Sequence, residues 1–143
     1  MIESIIGTMI GREVFSQTIS KSTSGLYVEI DNLIHCTEYD FIALLEKLDI
    51  NTKLEVSTLL IKEYEEKDTI FTDSCKKCIN SLIDIIDKIT KEIIDIQNDI
   101  KEHNLKSFHK WRSNSYDNKI QNLITHNTIL ENRLNLFIKL IQL

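Results

Sequence analysis

Proline is absent from this 143-residue sequence, and glycine occurs only three times. Nothing in it resembles a Pro- or Gly-rich linker, so one domain over residues 1–143 is expected. No apolar run approaches the roughly 18–20 residues of a membrane span, so the chain reads as soluble. The three cysteines, Cys36, Cys75 and Cys78, are an odd number, and no basic leader or cleavage site precedes the first apolar stretch. That points away from a secreted disulfide scaffold and towards a reducing, intracellular compartment. Catalytic signatures are missing as well. His35, His103, His109 and His126 form no HExxH, and there is no GxSxG, no phosphate-binding glycine loop and no Asp/Glu cluster at metal spacing. A non-enzymatic protein without a cofactor is expected.

Apolar residues make up 42% of the chain and charged residues 27%, a globular balance that argues against wholesale disorder. The formal net charge of −5 is uneven: from Lys101 onward seven basic residues face three acidic ones, so residues 1–100 carry −9. An acidic body with a mildly basic far end suits electrostatic orientation on a partner. Isoleucine, asparagine and lysine are heavily used, as in proteins of AT-rich genomes.

In MIESIIGTMIG, Ile2, Ile5, Ile6, Met9 and Ile10 fall at helical spacing, with Gly11 as the expected stop. The segment either docks on its own core or anchors a partner or membrane surface. From Val14 the period changes. Leu26, Val28 and Ile30 alternate with Tyr27, Glu29 and Asp31, VFSQTIS is rich in β-branched and aromatic residues, and KSTSG supplies a loop. The pattern predicts an N-terminal β-hairpin. Thr37 with Asp40 at the capping-box position then opens a short helix carrying Phe41, Leu44, Leu45 and Leu48. Asn51 or Thr52 opens a second, carrying Leu54, Leu60, Ile61 and Tyr64, and Thr72, Asp73 or Ser74 a third.

The strongest pattern lies beyond. Ile79, Leu82, Ile86, Ile89, Ile93, Ile96 and Ile100 step by alternating three and four residues, as do Tyr116, Ile120, Leu123, Asn127, Leu130, Leu134, Phe137 and Ile141. These are a/d seams. They predict long helices over roughly residues 73–105 and 115–142, packed antiparallel because the connection is short. Ile83, Ile85 and Ile94 lie off the first seam, which implies a second buried face, covered by the helices at 38–48 and 53–65 or by another subunit. The fold expected is mainly α: an antiparallel long-helix hairpin (73–142) within a small helical bundle. Two short helices (37–67) and the N-terminal helix and β-hairpin (1–36) complete it.

Two clusters carry candidate chemistry. Cys75-Lys-Lys-Cys78, with His35 and Cys36 upstream, offers soft ligands for zinc or a dithiol at a helix start. Cys75 also continues the apolar seam one step before Ile79, so plain packing explains it. The connection LKSFHKWRSNSY interleaves Phe108, Trp111 and Tyr116 with Lys110 and Arg112, a composition enriched at protein interfaces and able to stack on bases. Alternatively, Phe108 and Trp111 cap the hairpin core. Overall acidity weighs against nucleic acid. Asn127, the one polar seam position, either fixes register or faces solvent.

Trp111-Arg112 followed by Asn127, Leu130, Arg133, Leu134 and Phe137 resembles the helical tail of small uncharacterised proteins of nucleocytoplasmic large DNA viruses. The resemblance covers only the C-terminal third and implies a minor virion component with no catalytic residue. The expectation is a structural or protein-interaction protein, assembling as a homo-oligomer or larger body through its helical faces, with Phe108, Trp111, Arg112 and Asn127 as partner contacts. The alternatives are a small regulatory adaptor binding a host or viral protein, and a zinc- or thiol-dependent protein using Cys36, Cys75 and Cys78.

Overall fold

A computed structural model describes the backbone of residues 2–36, 39–67, 71–103 and 117–142, with side chains described for residues 15–35, 42–67, 71–102 and 118–142. Five helices account for nearly all of these residues: α1 (Ile2–Cys36), α2 (Tyr39–Leu48), α3 (Ile50–Glu66), α4 (Asp73–His103) and α5 (Asp117–Ile141). There is no strand among the described residues.

The long hairpin is present and antiparallel. Glu92 meets His126 and Asp99 meets Lys119, so residue numbers rise on α4 as they fall on α5. All seven members of the α4 seam are at most 3% exposed. Each isoleucine buried to that degree stabilises the fold by about 1.5–3 kcal/mol relative to an exposed one. On α5, Ile120, Leu123, Asn127, Leu130, Leu134 and Phe137 are buried, while Tyr116 lies outside the described residues. Thr72 caps α4: its Oγ1 accepts the backbone N–H of Cys75 at 3.2 Å, and Asp73 places a carboxylate in the first turn.

The expected β-hairpin is corrected. Residues 14–30 lie within α1, and the helix runs through Gly7 and Gly11 instead of stopping there. A lone glycine costs a helix only about 1 kcal/mol relative to alanine. The physical reason is a seam of longer range. Ile19, Thr23, Leu26, Ile30 and Leu33 step by 4, 3, 4 and 3 residues and are all at most 5% exposed. Val28, which a strand would place beside Leu26 and Ile30, is 57% exposed. Helical period, not alternation, governs the segment.

α1 also supplies the cover that α4 needs. The α1–α4 contact is among the most extensive in the fold, and Ile83 and Ile85 are buried. Neither short helix makes an extensive contact with α4, so the expected cover within the chain comes chiefly from α1 instead, and Ile94 stays 37% exposed. α1 runs antiparallel to α3: Ser16 N–H donates to Glu65 Oε1 at 3.1 Å, and Tyr27 Oη donates to the carbonyl of Asn51 at 3.4 Å. α3 runs parallel to α5, since Lys53 reaches Asn127 and Tyr64 reaches the carbonyl of Ile141. Two antiparallel hairpins, α1/α3 and α4/α5, therefore lie side by side. Phe71, in the link between α3 and α4, closes one end by meeting Phe15 (6.4 Å, edge-on) and Phe137 (6.3 Å).

Between α2 and α3 the chain turns on Asp49, whose φ of 51° is left-handed and whose N–H donates to the Glu46 carbonyl at 3.1 Å. The start of α3 is thus Ile50, ahead of the predicted Asn51 or Thr52 caps. The Thr37 cap lies outside the described residues.

Candidate functional site: polar nodes and the outer face of the bundle

Of the four predicted partner contacts, Phe108, Trp111 and Arg112 lie outside the described residues. Asn127 is placed, and it is not at a surface: it is 7% exposed, and its Oδ1 accepts a hydrogen bond from Lys53 Nζ at 3.2 Å. Lys53 also donates to the Leu48 carbonyl at 2.9 Å and lies 4.0 Å from Glu131. One ammonium, on a side chain 16% exposed, thus holds the end of α2, the start of α3 and the middle of α5 together. A cation at the C-terminal carbonyls of α2 is favoured by the helix dipole. Sequence periodicity identified Asn127 as special but carried no sign of Lys53, because their contact spans 74 positions.

Other helix pairs carry nodes of the same kind. Gln97, 4% exposed, donates through Nε2 to the Glu29 carbonyl and to Glu29 Oε2, each at 2.9 Å, joining α4 to α1. Asp99 and Lys119 pair across α4 and α5. Glu92 and His126 face each other one heptad further along, with His126 Nδ1 2.6 Å from Glu92 Oε1. Burial pushes the Glu92 carboxyl above the usual range, and the histidine contact offsets this only partly. Glu92 Oε2 has no hydrogen-bond partner among the described residues.

Cys75 and Cys78 are packed side chains, the plain alternative for this pair. Cys75 and Cys78 are free thiols, 5% and 4% exposed, at the start of α4. Cys78 Sγ donates to the Arg133 carbonyl at 3.4 Å, while Arg133 Nη1 donates to the Ser81 carbonyl at 2.6 Å. Burial, followed by the neighbouring Cys75, raises the Cys78 thiol above its ordinary pKa, away from the thiolate that redox chemistry needs. His35 and Cys36 close α1, whose residue Glu29 lies against Gln97. Gln97 is 22 positions along α4 from Cys75, about 33 Å at the helical rise. No group of three or more metal-ligating side chains occurs among the described residues.

One open feature among the described residues lies at α1 and α3. Between them runs a groove of about 350 Å³, floored by Ser20, Thr23, Ser24 and Thr58 and flanked by Tyr27, Glu55 and Leu59. Burial, then the Glu55 carboxylate, raises the Tyr27 phenol. Leu59 in the groove lining is 55% exposed, and Val28, one helical turn beyond Ser24 on α1, is 57% exposed. Among the described residues, no helix is long and apolar enough to cross a membrane. No protein-family model, curated protein or solved structure matches the chain.

Proposed function

We propose that this is a non-enzymatic structural or protein-interaction protein that assembles through its helical faces. One observation carries the reading: Leu59, more than half exposed, lines a groove between α1 and α3, and the equally exposed Val28 stands one helical turn beyond the groove-lining Ser24. Large exposed apolar side chains grouped around a channel suit a macromolecular partner better than a solvated surface. The aromatic and basic segment at Phe108, Trp111 and Arg112 supplies a second contact region by composition. The C-terminal resemblance directs that assembly towards a viral particle.

A regulatory adaptor is the second reading, favoured by the same groove if it receives one foreign helix. Affinity capture of the native full-length chain, compared with Trp111→Ala and Leu59→Asp variants, tests the proposal. Specific capture of partner or self, weakened by either variant with the melting temperature unchanged, supports it. A chain that stays monomeric and captures nothing overturns it.

A further inference from the structure

We infer that the occupant of the α1/α3 groove is a second copy of this chain, its α1 lying antiparallel to the first about a two-fold axis level with Leu26. This rests on the interaction-protein reading above and names its partner. Lys21, Ser24, Val28 and Asp31 are spaced 3, 4 and 3 residues apart, so they form one stripe along α1, directed away from the buried row Thr23–Leu26–Ile30. Lys21 and Val28 are exposed, and Asp31, whose side chain is 70% exposed, lies 3.6 Å from His35 Nδ1.

The stripe is self-complementary in one direction only. In a parallel pair, Lys21 would meet Lys21 and Asp31 would meet Asp31, a repulsive arrangement. In the antiparallel pair each Lys21 faces the second copy's Asp31, twice by symmetry, because both sit five positions from Leu26. The same register lays Val28 over the second copy's Ser24, which lines the groove. Thr58 joins Thr23 at 3.5 Å, so Leu59 stands at that level of the groove and meets the incoming valine. An apolar knob, a small-residue hole and two opposite charges thus lie on one face at mutually consistent positions. Such a patch closes as a dimer without leaving a free copy of itself.

Sedimentation equilibrium of the full chain across a wide concentration range tests this. A reversible dimer is expected. Val28→Asp should raise its dissociation constant roughly tenfold or more by placing a carboxylate in the apolar contact. Lys21→Asp and Asp31→Lys should each weaken it and the double swap restore it, while circular dichroism and melting of the dilute chains stay unchanged. A monomer at every concentration overturns the inference. So does a dimer indifferent to all three changes, or a double swap that fails to restore. If the monomer nonetheless captures a different protein, the interaction reading stands and only its self-partner falls.

Discussion

Leu26, Val28 and Gly25 answer differently to a helix and to a hairpin, so replacing each by alanine gives a sharp test of α1. In the helix Leu26 is fully buried, and Leu26→Ala removes its core contacts at a cost of about 3–5 kcal/mol. Val28 is 57% exposed, and alanine is the better helix former, so Val28→Ala should leave the dilute monomer unchanged or stabilise it by up to about 0.5 kcal/mol. Gly25 sits mid-helix with nothing within 4 Å of where a Cβ would stand. Gly25→Ala should therefore stabilise by about 1 kcal/mol. A hairpin reverses two of these signs, since Val28 would share the buried face and Gly25 would serve a loop. Urea unfolding followed by far-ultraviolet circular dichroism, at concentrations below dimer formation, reads all three. A cost for Val28→Ala comparable to that for Leu26→Ala, or a destabilising Gly25→Ala, would refute the helical seam.

Three further outcomes are expected. Lys53→Ala and Asn127→Ala should each cost about 1–3 kcal/mol in urea unfolding, with a coupling above about 0.5 kcal/mol in the double-mutant cycle; strict additivity would mean that the 3.2 Å contact contributes nothing. Because the folded chain raises the Glu92 pKa, it binds that proton more tightly than the unfolded chain does. The associated stability is complete below the unfolded pKa and is lost as pH rises through the folded value. Glu92→Gln should flatten that part of the melting-temperature profile, and parallel profiles for the two proteins would contradict the assignment. In a Cys36→Ser background, Ellman's reagent should modify Cys75 and Cys78 only after denaturant is added, and rapid labelling of the native chain would show that the thiols are not packed as described.

The legibility of the helices follows from how much of each seam is isoleucine or leucine. On α4 every step lands on a large aliphatic residue, so the 3.5-residue period stands out locally and both ends were placed to within two residues. On α1 the same period is carried by Ile19, Thr23, Leu26, Ile30 and Leu33, with one polar member and a Ser/Gly-rich stretch around it. A window over 26–31 cannot separate the two periods, because Leu26 and Ile30 satisfy both. Only Ile19 and Leu33, seven positions to either side of Leu26, break the tie. Asn127 was visible as an anomaly in its seam, yet its two proposed roles could be separated only by tertiary contact. The exposed α1/α3 groove was not visible at all. It is made by Ser and Thr residues that look like solvent positions until two helices bring them together.

The Lys53–Asn127 node also explains how two repetitive seams hold one register. On α4 and α5 the charged positions recur by heptads, with Glu92 and Asp99 facing His126 and Lys119. A slide of α5 by seven residues, about 10 Å, would keep apolar positions opposite apolar positions and bring Glu92 to Arg133 and Asp99 to His126. The charge pairs of the hairpin therefore do not forbid the slip. α3 does. With α3 held in place, Lys53 would meet Leu134 instead of Asn127, leaving a largely buried ammonium against a leucine. Losing that partner costs about 1–3 kcal/mol, although the Leu48 carbonyl is kept. Phe137 would at the same time leave Phe71, which it meets at 6.3 Å, and open the aromatic end of the bundle. Register is thus imposed on the long hairpin from outside it, by a lysine of a shorter helix and a phenylalanine of a link.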